Sequence, residues 1–152
     1  MTLSESDFEE ILGDVTKTIH GDLEWSESDN HVSWLKFRAD IDSEDGYPLS
    51  VAGSYNPIVE KVSFALIYGG VGRVYALDLG VKHHNPTCEN VGDTHKHRWT
   101  DCYRDKLAYE PDDITATVAE PVAVWEQFCD EALIDHDGTL APPPALQTEI
   151  FE

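Results

Sequence analysis

The sequence predicts an α+β fold: a curved antiparallel sheet of about five to seven strands, shaped as a partial barrel, with one helix at the N-terminus and another in the C-terminal half. Three observations predict it. Apolar residues recur at helical spacing near both ends of the chain, as Phe8, Ile11, Leu12, Val15 and Ile19, and as Val122, Val124, Trp125, Phe128, Cys129 and Leu133. Between them, over residues 23–109, alternating apolar and polar runs follow one another with only short turns. Such turns build an antiparallel meander, whereas parallel strands need long crossovers. The length, 152 residues, suits a single domain with its own core.

Taken in order, residues 1–20 form the first helix, with Ser6 as N-cap and Glu9 as its capping-box partner. "LEWSES" from Leu23 is a first strand candidate, and "HVSWLKFRADI" is a clearer one, with a bulge at Trp34 and Leu35 where the alternation slips. "SEDGYP" is a turn. "PLSVAGSY" and "VEKVSFALIYGG" are the next strands, joined through Asn56-Pro57. "GGVG" leads into "RVYALDLGV"; lying between two strands, it fits no phosphate loop. "THKHRWTD" is a further strand, and residues 120–134 are the second helix, with Pro121 in its first turn. "HDGTLAPPPA" reads as a stiff connector, and residues 146–152 as a last edge strand. Trp34, Trp99 and Trp125 read as core, and His20, His31 and His136 as surface groups.

Charge is the loudest global signal. Ten Lys and Arg stand against thirty Asp and Glu, for a net charge of −20. Carboxylates at this density either keep a protein hydrated in a salt-rich cytosol, where charges are screened over about 3 Å at 1 M, or imitate the phosphates of a nucleic acid. Their even spread along the chain favours salt adaptation over a decoy. No apolar run approaches the roughly 20 residues of a membrane helix, and the opening "MTLSESDFEE" is too acidic for a signal peptide. A cytoplasmic location, no membrane partner, and reduced thiols at Cys88, Cys102 and Cys129 are therefore expected.

The chemistry concentrates in "HHNPTCENVGDTHKH", residues 83–97, which holds four of the seven histidines. On a strand His95 and His97 point the same way, about 7 Å apart at roughly 3.4 Å per residue. Lys96, Thr94 and Arg98 share the other face. His83 and His84 point to opposite faces, so only one of them joins the pair; the reading assigns that place to His84 and turns His83 away. If the loop after Asn85-Pro86 closes a hairpin, three imidazoles meet. Residues 81–109 also carry five of the ten cationic side chains, the one stretch of this chain that tolerates an anionic ligand.

Three readings of the cluster stand side by side. The histidines brace the turn. Alternatively, three histidines, or two with Asp93, Asp78 or a cysteine, hold zinc or another divalent ion. Or the imidazoles act without metal as an acid–base pair, a chemistry that suits cleavage of RNA through its 2′-hydroxyl. His84, His95 and His97 are the candidate catalytic residues, and the same three with Asp93 are the candidate metal ligands. Lys96, Arg98 and Arg104 are the candidate contacts to an anionic substrate. Strand alternation sets Lys96 and Arg98 away from His95 and His97, which leaves Arg104 as their substitute.

The stretch "LDLGVKHHNPTCENVGDTHKHRW", with "DKLAYEP", "VAVWEQFCDEA", "EIFE" and the preceding "GSYNPIVEKVSFALIY", resembles a family of small uncharacterised prokaryotic domains found on mobile elements. That family's His-Asn-Pro and Thr-His-x-His elements fall on His84, Asn85 and Pro86 and on Thr94, His95 and His97, and the resemblance covers about residues 48–152. The order His-His, loop, His-x-His is also similar to TumE-type toxins, although the proline spacing differs. These resemblances imply a toxin-like, RNA-directed hydrolase with RNA and an antitoxin-like protein as partners. The alternative is a non-enzymatic acidic interaction module, a partner-binding protein or nucleic-acid mimic, in which the histidines or a metal are structural.

Overall fold

The computed structural model describes residues 3–28 and 33–144. Its first helix, α1 (Glu5–Gly13), starts two residues earlier than the capping signal suggests: Ser4 Oγ accepts from the Asp7 amide and the Asp7 carboxylate accepts from the Ser4 amide. It also ends well before residue 20. Fully buried Lys17 donates from Nζ to the carbonyls of Ile11, Leu12 and Asp14 at 2.6–2.8 Å and so closes the last turn. Val15, expected on the apolar stripe, is 72% exposed.

Ile19 instead lies in a short strand, β1 (Thr18–His20). The chain continues through β2 (Ser26–Glu27), β3 (Leu35–Ile41), β4 (Leu49–Asn56), β5 (Lys61–Tyr68), β6 (Gly72–Leu79), β7 (His83–His84), β8 (Asn90–Val91), β9 (Thr94–Arg98) and β10 (Ala108–Tyr109) to α2 (Pro121–Glu131) and β11 (Asp135–Asp137). The order in the main sheet is β10-β9-β6-β5-β4-β3-β2, seven antiparallel strands that do not close into a barrel. The α+β class and the two helices are as the sequence predicts. β3 begins at Leu35 without a bulge; the register shift falls between Leu66 and Ile67, where β5 meets β6. The expected connector after α2 supplies β11, which pairs in parallel with β1. The edge strand expected at 146–152 lies outside the described residues.

One face of the sheet carries the core. Phe37, Val51, Phe64, Leu66, Tyr75 and Leu77 alternate onto it, and Phe8 of α1 with Trp125 and Phe128 of α2 packs against them. Gly53 is required on this face, because a Cβ there would fall 2.2 Å from the Phe37 ring. The other face carries Lys36, Arg38 and Asp40 of β3, Ala52 and Ser54 of β4, Ser63 and Ala65 of β5, Ala76 and Asp78 of β6, and His95 and His97 of β9. No helix among the described residues is long and apolar enough to cross a membrane.

A candidate metal centre of three histidines and an aspartate

β6 and β9 are neighbours in the sheet, yet residues 80–93 separate them in sequence. That segment leaves the sheet and returns. Gly80, at φ +93°, turns the chain so close to Glu60 that a Cβ would lie 2.1 Å from its carbonyl oxygen. The Gly80 amide then donates to the Asp93 carbonyl at 2.9 Å, closing the excursion at its base. Within it β7 and β8 form a small hairpin in which His83 pairs with Val91 and His84 with Asn90. A buried Asn85 pins the hairpin to β10: its side-chain amide donates to the Ala108 carbonyl and accepts from the Ala108 amide, both at 2.8 Å.

This arrangement reverses the roles expected of the first histidine pair. Val91 is the buried residue of the returning arm, so its partner His83 turns inward. His84 is exposed, and its Nδ1 lies 2.8 Å from Asn90 Oδ1. One ring nitrogen from each of His83, His95 and His97 lies within 4.8 Å of the other two. Asp93 is exposed and contributes its carbonyl to the excursion rather than its carboxylate to the cluster. The carboxylate that does join is Asp78, the register partner of His95. Its Oδ2 lies 3.3 Å from Nε2 of His95 and 3.3 Å from Nε2 of His97, while Ser63 Oγ donates to its Oδ1.

Each ring is held from behind by a backbone carbonyl. His95 Nδ1 faces Gly92 O at 3.0 Å, His97 Nδ1 faces Asp105 O at 3.0 Å, and His83 Nε2 faces Lys106 O at 2.8 Å. A carbonyl only accepts, so each of these nitrogens carries a ring proton, and in the neutral ring the opposite nitrogen is a lone-pair donor. For His95 and His97 those donors are the Nε2 atoms that face Asp78. Two imidazole lone pairs turned on one carboxylate oxygen repel unless a cation lies among them, either shared protons or a metal ion. The separation favours the ion. An imidazolium–carboxylate hydrogen bond is about 2.7–2.9 Å long, whereas two donors on one tetrahedral ion with bonds of about 2.0–2.1 Å stand about 3.3 Å apart. Carbonyl anchors behind the rings and a hydroxyl on the far carboxylate oxygen are the supports that metal-ligating groups need.

Electrostatics follow the same geometry. Burial acts to raise the Asp78 pKa, but contacts from His95, His97 and Ser63 overcome it and hold the carboxyl far below the usual carboxylate range. Burial acts to lower that of His95, yet the Asp78 carboxylate and the Gly92 carbonyl outweigh it and hold the ring above its ordinary value. His83 is pushed down, first by burial, against the Lys106 carbonyl that acts to raise it, and then by charge on the neighbouring His97, His95 and Arg73 side chains.

The expected anion contacts lie elsewhere. Lys96 is buried on the core face, with Nζ 2.9 Å from both Asp113 and Glu131. Arg98 pairs with Glu9 at 3.3 Å over the Phe8 ring, and Arg104 stacks on Trp99. The cation at the site is Arg73 of β6, which sequence pattern does not single out. Its Nε lies 2.8 Å from Asp105 Oδ2 and its Nη1 3.9 Å from Asp78 Oδ2. It reaches this face because the Leu66/Ile67 irregularity pairs Arg73 with Ile67.

No curated protein and no solved structure matches the chain. A family model does match, over residues 3–134, which include both helices, the whole main sheet and every residue of the histidine–aspartate centre. The chain belongs to the family of unknown function DUF6978.

Proposed function

We propose that the chain holds a divalent metal ion, zinc in the first instance, through His95, His97 and Asp78 with His83 as a further donor, and that it is a hydrolase of nucleic-acid phosphodiesters, RNA above all. The observation that carries the metal is the convergence on one Asp78 oxygen of two Nε2 atoms whose rings are anchored to backbone carbonyls through Nδ1. When His83 stands off the ion, His95, His97 and Asp78 would leave one position for water, and a metal there would supply Lewis acidity and lower the pKa of that water. In the hydrolysis the water oxygen bonds to phosphorus, the P–O bond to one sugar breaks, and the water proton goes to the departing alkoxide. Arg73, whose side chain is 32% exposed, lies where charge on the phosphoryl oxygens needs a partner. The metal-free acid–base route is less well served, since His95 and His97 are only 1% and 3% exposed. RNA and an antitoxin-like protein are the partners this reading implies, and the charge of −20 supports work in a salt-rich cytosol.

The test is protein purified without a His-tag or nickel column, analysed for metal and assayed on RNA in molar potassium chloride. One equivalent of metal, cleavage abolished by chelator, and loss of both in a folded His95→Ala/His97→Ala variant are expected. Sub-stoichiometric metal at every salt concentration would sink the centre. Absence of RNA cleavage and of growth inhibition on expression would sink the hydrolase.

One observation favours a second reading, an interaction module with a structural ion. If His83 binds as a fourth donor, the shell closes and no water position remains. A full equivalent of metal without turnover, together with loss of stability on chelation, identifies this case.

A further inference from the structure

The face of the sheet opposite the helices forms ordered rows that lead away from the metal centre. Strand register aligns Lys36, Ser54, Ser63, Asp78 and His95 in one row, and Arg38, Ala52, Ala65, Ala76 and His97 in the next. Serines and alanines floor the middle of both rows, and Ala52, Ser54, Ser63 and Ala65 keep partial solvent exposure. Four strand spacings of about 4.8 Å put Lys36 and Arg38 about 19 Å from the histidine end. Trp34, half exposed one residue before β3, lies under the Lys36 ammonium at 5.9 Å. Lys36, Arg38 and, beside them on β5, Lys61 make no ion pair among the described residues, nor do Lys82 and Arg104 elsewhere, whereas Lys96, Arg98 and Arg73 do; Arg38 donates to Ser50 Oγ at 3.1 Å. Asp78 stands in the first row, and exposed Asp40 lies beside the second on the same face.

We infer that this open face binds single-stranded nucleic acid, with its phosphates on Lys36, Arg38 and Lys61, a base stacked on Trp34, and its path along the Ser/Ala rows toward Asp78 and His95. The occupant is set by charge complementarity: Lys36, Arg38 and Lys61, without ion-pair partners among the described residues, share one face of a molecule of net charge −20. The single strand is chosen over the duplex because the rows end in an aromatic ring, and stacking needs exposed bases. This deepens the nucleic-acid reading above and takes its substrate class from it, but the track is a binding surface and stands apart from turnover.

The experiment is fluorescence anisotropy of a fluorescein-labelled ten-nucleotide oligouridylate against the metal-loaded protein from 0.1 to 1 M potassium chloride, with cleavage followed in parallel. Three phosphate contacts give a slope of about −2 in log affinity against log salt. Lys36→Gln/Arg38→Gln is expected to weaken binding at least tenfold, flatten the slope to about −0.7 and leave metal content unchanged. Lys82→Glu, an equal charge change off this face, is expected to bind as wild type does. No binding by wild type at any salt, or undiminished binding by the double variant, overturns the track. So does equal affinity for a duplex of the same length, or equal competition by polyglutamate, which would make the occupant an acidic peptide. Binding that depends on Lys36 and Arg38 without cleavage keeps the track and removes the hydrolase; cleavage that ignores both residues does the reverse.

Discussion

Asn85 holds Ala108 by both of its backbone groups, at 2.8 Å each, and so fastens the histidine-bearing hairpin to the edge of the main sheet. Ala108 is also the register partner of His97. One buried amide therefore fixes the height of His83 above the other two imidazoles. Asn85→Ala leaves a buried amide and a buried carbonyl without partners, at about 1–3 kcal/mol each. Chemical denaturation is expected to show a loss of about 2–6 kcal/mol, and metal affinity is expected to fall along with it as His83 is released.

Asp78→Asn keeps the shape of the side chain and removes its charge. Metal affinity, measured by competition with a chromophoric chelator, is expected to fall about 100-fold or more, since even an outer-shell change costs 10–100-fold. Ser63→Ala removes only the hydroxyl on Oδ1 and is expected to fall within that 10–100-fold range. If Asp78→Asn retained full affinity, the carboxylate would be no ligand.

The pH dependence of the metal-free protein follows from the two shifted groups. His95 is held above its ordinary value, so its contribution to stability is complete below about pH 6.5 and is lost as pH rises through its folded pKa. Asp78 is held far below the carboxylate range, so its contribution is present above about pH 3.9 and is lost only in strong acid. Metal-free stability from this centre is thus greatest between about pH 4 and 6.5. Metal displaces the protons, so its apparent affinity is expected to rise with pH and its uptake to release protons. Thermal melts with and without zinc at pH 5.5 and 8 test the sign: the zinc-induced gain is expected to be larger at pH 8.

Lys96 is a structural cation. Lys96→Met leaves Glu131, whose Oε2 it holds at 2.9 Å, as a buried carboxylate without its counter-ion. Such a break costs about 3–5 kcal/mol, while replacing both partners with apolar residues is closer to neutral. Lys96→Met/Glu131→Leu is therefore expected to regain most of the loss in a denaturation series and to bind the oligonucleotide as wild type does.

Much of this molecule is legible in its sequence because its strands are long and half-buried. Leu35, Phe37 and Ile41, or Val62, Phe64 and Leu66, alternate cleanly because one face meets the core and the other meets water. The length of α1 is not legible, because Lys17 closes it through tertiary burial that helical periodicity does not encode. Nor is the pairing of β1 with β11, where two three-residue strands meet from opposite ends of the chain. In the site, the alternation of "HKH" places His95 and His97 together and Lys96 away from them. The choice between His83 and His84 had a readable signal in Val91, the apolar residue of the returning arm, which sets the inward face of the hairpin. Asp78, one of the carboxylates the sequence offers as a ligand, is selected over Asp93 by the register of β6 against β9, and Arg73 reaches the site through that of β6 against β5, non-local properties that no spacing within the sequence expresses.

The bond from the Gly80 amide to the Asp93 carbonyl separates two kinds of inheritance. Asp78, His95 and His97 belong to the sheet and move only if the sheet does. His83 arrives on an appendage whose two feet already touch. Shortening that appendage to a tight turn would leave a three-donor centre on an intact scaffold, and lengthening it would bring in a different fourth donor. A lineage built on this frame could retune a metal held there, from a sealed structural ion to an open reactive one, by changing about a dozen residues outside the main sheet.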